Sequence, residues 1–161
     1  MLTPRPATQA DIEWMAPRLR KADQDEVLAG GSPSVLASLE EGLRISDAPL
    51  VGVDEDDNPV VIFGRCRMTD LSYSVWLLAT DDIHKHRTTF LRQGRDYLAR
   101  LHDSVPVLFN AVDERNTLHI QWLRWLGFIF IKRHASIGPE KRPFLEFVSY
   151  RPCVIQPSSQ V

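Results

Sequence analysis

Two groups of residues in this chain have types and spacings that could support chemistry. Asp81-Asp82 run directly into His84-Lys85-His86-Arg87, so two carboxylates and four basic side chains share the expected start of one helix. The basic side chains could pair with a phosphate, or they could form the ordinary solvated face of an amphipathic helix capped by the aspartates. His84 and His86 stand two apart, face different sides of a helix, and make a poor metal pair. Cys66 lies between Arg65 and Arg67, whose charge would favour a thiolate, although a lone strand cysteine is more often a small buried apolar side chain. Neither a Ser/His/Asp nor a Cys/His arrangement has a recognisable nucleophile elbow, so covalent catalysis gains no support.

These side chains need elements to place them, and the stretch from Val112 to Phe128 is the most informative. Leu118, Trp122 and Leu126 recur four apart, with Leu123 and Trp125 widening the stripe, so one face of a helix is apolar and must be covered by a sheet. Asn116 or Thr117 can cap its start, and Gly127 follows its last periodic residue, where helices commonly stop with positive φ. Upstream, Thr8 can cap a first helix, Pro17 breaks it, and Ser32 or Ser34 can open another whose Val35, Leu39 and Leu43 are four apart. The two prolines within Leu2 to Pro6 permit an edge strand but not a central one. Strands are expected at 50–53, 60–68, 73–80, 106–112, 128–134 and 144–150. The helix between Thr80 and Pro106 should make two strands parallel.

Composition narrows the class. The chain has 161 residues, 43% hydrophobic and 25% charged, with a formal net charge of −2, which fits one globular domain and gives no electrostatic footprint for nucleic acid or an anionic membrane. Cys66 and Cys153, the two cysteines, form neither a disulfide framework nor a zinc pattern. Met1 to Pro6 lack an apolar signal core and no run approaches eighteen apolar residues, which predicts a protein without a membrane span that is kept in a cytoplasm.

Asn116 with Gly127-Phe128 starting eleven positions later, together with the opening Arg5-Pro6-Ala7-Thr8-Gln9-Ala10-Asp11 and the element order, resemble the GNAT acyltransferase superfamily over roughly residues 2–150. The resemblance implies an α/β, GNAT-like fold: a mixed, twisted sheet of about six to seven strands flanked by helices, one domain over 1–150 and a polar tail over 151–161. In GNAT enzymes the pyrophosphate of acetyl-CoA rests on a Gln/Arg-x-x-Gly-x-Gly/Ala turn, where backbone N–H groups and the helix dipole meet the anion. The matching stretch is Leu78 to Arg87, and Leu78, Thr80, His84, His86, Arg87 and Asn116 are the cofactor-contact candidates. No glycine lies between Gly64 and Gly94, and Asp81 and Asp82 are expected at the helix mouth. Two like unit charges about 4 Å apart repel by roughly 1–4 kcal/mol. The family's usual tyrosine acid, four residues before Gly127, is replaced by Leu123. Asp81, Asp113 and Glu114 are candidate bases, though a cap or turn acid is the more common role for each. The expectation is therefore no acetyl-CoA cofactor and no metal, with an active N-acetyltransferase using a non-standard turn as the alternative.

Within the superfamily, Ser74 to Ile83, Phe90-Leu91-Arg92, Val107 to Asp113 and Asn116-Thr117, His119-Ile120 and Leu123 resemble the GNAT-like structural-block proteins of tailed phages, including the small internal virion protein of short-tailed phages. That resemblance implies a virion-associated or assembly protein, in the particle or the host cytoplasm, whose partners are other phage structural proteins. Trp125, at the edge of the apolar stripe, is a typical anchor for such a contact, with Arg115 and Arg124 around it.

Overall fold

The computed structural model describes residues 2–151, so Cys153 and the tail from 152 onward lie outside the described residues. The chain is α/β. Its sheet has seven strands in the order β1-β2-β3-β4-β5-β7-β6: β1 Thr3–Pro6, β2 Leu50–Val53, β3 Pro59–Arg67, β4 Ser72–Ala79, β5 Val107–Asp113, β6 Ile129–Ile137 and β7 Arg142–Tyr150. The proline-containing β1 is an edge strand, paired only with β2. A strand at that place needs few ladder N–H donors, which is why Pro4 and Pro6 are tolerated.

Three helices precede the hairpin of β2 and β3. In α1, Gln9–Met15, Thr8 caps the backbone N–H of Asp11 while the Asp11 carboxylate accepts from Thr8, a reciprocal pair that satisfies two donors a helix start would leave open. Pro17 turns the chain through a 3₁₀ segment, Ala16–Arg18, into α2, Lys21–Ala29. Ser34 caps α3, Val35–Ile45. These helices cover one face of the sheet, where Ile12, Met15, Leu39, Val51 and Ile62 are fully buried. The other face is covered by α4, Arg87–Ser104, and α5, Thr117–Leu126, over cores built around Val60, Ile83 and Trp122 and around Leu108, Leu123 and Phe147.

The parallel pairing expected across the helix between Thr80 and Pro106 is present but short. Strands β4 and β5 pair at Ser72↔Val107, Tyr73↔Leu108 and Ser74↔Phe109, and beyond that point they diverge. The side-chain amide of Asn110 reaches across the opening to the carbonyl of Val75, 2.7 Å away.

Two local expectations need correction. Asp81 and Asp82 do not cap α4. They open a six-residue 3₁₀ turn, Asp81–His86, and α4 begins only at Arg87. The turn is held tight because Thr80 continues the sheet by donating to the Val60 carbonyl and Ile83, fully buried, folds back with its N–H on the Thr80 carbonyl. The terminal hairpin is also longer than expected, from Ile129 to Tyr150, and carries register shifts after Phe130 and His134. Its turn packs on the end of α2: a Cβ at Gly138, whose φ is +68°, would stand 1.8 Å from the Ala29 carbonyl oxygen, so only glycine fits.

Candidate ligand cleft

The divergence of β4 and β5 opens a cavity of about 660 Å³ that runs between the two helical layers. That is within the size range of small-molecule sites, which are concave and mostly apolar. Phe63, Trp76, Leu98 and Leu123 give it apolar walls, and Glu26 places a carboxyl at its lining. Trp76 is fixed by its own polar end, since its indole N–H donates to Ser46 Oγ at 2.7 Å. Cys66 is buried, with its sulfur 3.5 Å from the same hydroxyl.

A buried polar network stands at one end of this cavity and joins three elements. Arg20, at the start of α2, forms a two-pronged pair with Asp23, at 2.5 and 3.1 Å, and its guanidinium lies 4.8 Å over the Trp122 ring. Asp23 Oδ2 accepts the backbone N–H of Ala79 at the end of β4. The Asn116 side-chain amide donates to Asp23 Oδ1 and to Glu26 Oε2, both at 3.0 Å, and Glu26 Oε2 also accepts the backbone N–H of Asp113 at 3.2 Å. Ends of β4 and β5 that diverge cannot pair with each other. Side chains from α2 take up the backbone groups left over, as buried donors require.

The electrostatics follow from that enclosure. Burial pushes the Glu26 carboxyl up to about 8; the Asn116 amide opposes the rise and the neighbouring Asp23 adds to it. His119 is buried beside the same cluster, and burial lowers it to about 4, so its ring is neutral near pH 7. Burial would also raise Asp113, but the Arg115 guanidinium, which it meets at 2.6 Å, outweighs this and holds the carboxyl below its ordinary range. Asn116 Oδ1, His119 Nδ1 and Trp122 Nε1 are buried without a hydrogen-bond partner among the described residues.

The sequence candidates fall in different places. Leu78 and Thr80 are buried sheet residues, with Thr80 bonded through both its N–H and its hydroxyl to the Val60 carbonyl. His84, His86 and Arg87 line a shallow recess at the start of α4 together with Lys85, Thr88 and Thr89. No carboxylate lines that recess: Asp81 is exposed and Asp82 pairs with Lys85 at 2.6 Å. Lys85 thus offsets one of the two carboxylates expected at the helix mouth. Glu114 is held in a two-pronged pair with Arg133, at 2.8 and 2.9 Å, and that partner keeps its carboxyl below the ordinary range. Asn116 precedes α5 without capping it, because its amide faces Asp23 and Glu26 instead. Tyr97 is half-buried at the cavity wall with its ring edge-on to Phe63. Arg20, Asp23 and Glu26 are not marked by the sequence reading, and His119 enters it only through the phage resemblance, not as a site residue. Among the described residues no cluster of metal-ligating side chains is present, and no helix is long and apolar enough to cross a membrane.

No family model matches the chain, and no curated protein does. Solved structures do. The chain is similar to a GNAT superfamily phosphinothricin acetyltransferase from Sinorhizobium meliloti in complex with AcCoA, at 14% identity over 99% of this chain and 95% of that one, with a TM-score of 0.63. It is also similar to Ard1 from Thermoplasma volcanium, at 14% identity over 94% and 99% of the two chains and a TM-score of 0.68. A GCN5-related N-acetyltransferase from Kribbella flavida shares 17% identity over 92% and 97%, with a TM-score of 0.66. The chain has the GNAT fold. At these identities the likeness is one of architecture.

The residues at the place where this fold implies acetyl-CoA fit it only in part. An apolar chain would find apolar walls between β4 and β5. At the start of α4, however, every residue from Lys85 to Thr89 carries a side chain beyond Cβ, so a pyrophosphate cannot approach the backbone as a glycine turn allows.

Proposed function

We propose that this chain is a virion-associated assembly protein of a tailed phage that uses the GNAT fold as a scaffold and keeps its cleft without performing acetyl transfer. Leu123 carries the reading: it lies in the cavity wall, 4% exposed, at the position where the resemblance calls for a proton-donating tyrosine, and an aliphatic side chain cannot protonate a leaving thiolate. The crowded start of α4 supports it. The phage assignment rests on the sequence resemblance through Ser74 to Ile83, Val107 to Asp113 and the Asn116 helix. Other structural proteins of the particle are its partners, met at the surface around Trp125, which is 41% exposed with Arg95 stacked 3.8 Å from its ring, and Arg124, which lies over Phe130. Arg115, named with them from the sequence, precedes α5 at the end opposite Trp125 and is held by Asp113.

Two measurements test the reading. A thiol-release assay with acetyl-CoA and a panel of amines is expected to show no turnover. Mass spectrometry of purified particles is expected to find the protein at stoichiometric abundance. Turnover that disappears on Glu26→Gln would replace this reading with an N-acyltransferase in which Glu26 serves as base, the one carboxyl at the cleft whose raised pKa suits that task.

A further inference from the structure

We propose that the cleft binds an uncharged apolar ligand by its carbonyl oxygen, which accepts a hydrogen bond from Oε1 of a protonated Glu26. The inference rests on the non-catalytic reading of the same cleft, and names what the cleft holds.

The two oxygens of the Glu26 carboxyl differ in their partners. Glu26 Oε2 accepts two N–H groups, from the Asn116 side chain and the Asp113 backbone, and these occupy the lone pairs an oxygen offers in the carboxyl plane. Oε1 has no partner among the described residues and is not one of the buried orphan atoms, while Glu26 itself lines the cavity. A proton on this carboxyl therefore resides on Oε1, and the O–H is presented to the cavity.

Burial and the two nearby carboxylates favour that proton, and they outweigh the N–H groups of Asn116 and Asp113, which oppose it. From α2, Asp23 adds negative charge close by, itself matched by Arg20. From β5 and the residues after it, Asp113 adds a second carboxylate, matched by Arg115. From α5 come the Asn116 amide and His119, neutral near pH 7. Glu41 of α3, at the cavity lining, is engaged by Arg44, and Glu140, in the turn that packs on the end of α2, is engaged by Arg142. From α4, Asp96 and Arg100 also line the cavity, but the charges that act on Glu26 are those of Asp23 and Asp113, and no cation pairs with it among the described residues, so the carboxyl stays protonated up to about pH 8. A fixed donor at the end of an apolar cavity selects a ligand with an apolar body and a neutral acceptor head. Amides, esters and ketones have that chemistry, whereas an ammonium would present a donor to a donor.

The test uses the full chain and three probes of one length: hexanamide, hexylamine and hexanoate. Trp76 and Trp122 both line the cavity, so tryptophan fluorescence reports binding. Hexanamide is expected to bind at pH 6.5 and to weaken about thirtyfold at pH 9.5, where only about 3% of a carboxyl titrating near 8 keeps its proton. Hexanoate is expected to bind at least tenfold more weakly than hexanamide at pH 6.5. Glu26→Gln should bind hexanamide equally at both pH values, because its amide keeps a donor directed to the cavity and does not titrate. Hexanamide binding that ignores pH in the wild type would overturn the inference, as would hexylamine binding more tightly than hexanamide and tightening as pH rises. Should Glu26→Gln fail to fold, the wild-type pH series and the three-probe ranking decide alone. Acetyl-CoA turnover with the same preparation would sink the non-catalytic reading whatever hexanamide does, while no turnover with no hexanamide binding would sink this inference only.

Discussion

The start of α4 and the polar end of the cleft hold comparable numbers of ionisable side chains and behave in opposite ways. At α4, His84, Lys85 and Arg87 are exposed, and water screens the one ion pair there, Lys85 with Asp82. At the cleft, Arg20, Asp23 and Asn116 are at most 4% exposed, and every change of charge is felt through the low-dielectric interior. Local sequence brings the first group together. The second is assembled by contacts such as Asn116 to Asp23, 93 residues apart. Enclosure decides the cause: at the cleft burial itself moves Glu26 up and His119 down, whereas at α4 Lys85 is raised by its exposed partner Asp82.

The sharpest way to break this contrast is Asp23→Ala. It would strand the Arg20 guanidinium, the Ala79 N–H and half of the Asn116 amide inside the protein, and a broken buried pair of this kind costs about 3–5 kcal/mol. Urea unfolding measures it, and a loss below about 1 kcal/mol would mean the network is not enclosed as described.

Glu26→Gln probes the same region by pH. A carboxyl raised to about 8 in the fold, against about 4.5 when unfolded, holds more protons folded than unfolded between those values. Its stabilising influence is therefore greatest at low pH and is lost as pH rises toward 8. Between pH 6 and 9 the wild type should lose roughly 1–3 kcal/mol relative to Glu26→Gln, or several degrees in its melting midpoint. Parallel melting curves for the two proteins would contradict the assignment. At the exposed region, Lys85→Ala should change stability by no more than about 0.5 kcal/mol, readable in the same unfolding experiment.

The fold was legible where local pattern and burial agree. The stripe of Leu118, Trp122 and Leu126 becomes α5, Gly127 ends it with φ of +101°, Pro4 and Pro6 mark an edge strand, and the long crossover yields the parallel pair of β4 and β5. The beginning of α4 was misread because an aspartate pair before a basic helix looks like a cap, and only the burial of Ile83 shows that the chain first makes a tight turn. The polar network was not legible, because its bonds join α2 to residues some ninety positions away. The trace it left is the spacing of Asp23, Glu26 and Ala29 in steps of three, which sets two acidic residues on the helix face that carries the buried Ala29. An acidic pair on an inward face is the signal that could have found it.

We propose that this GNAT-fold cleft does not transfer acetyl groups, a reading supported by Leu123 at the position of the family's tyrosine and by the side chains at the start of α4. Release of free CoA from acetyl-CoA in the presence of amine acceptors measures it directly. A rate no greater than that of the acetyl-CoA blank is expected. Release above the blank that saturates with acceptor and vanishes in Glu26→Gln would contradict it.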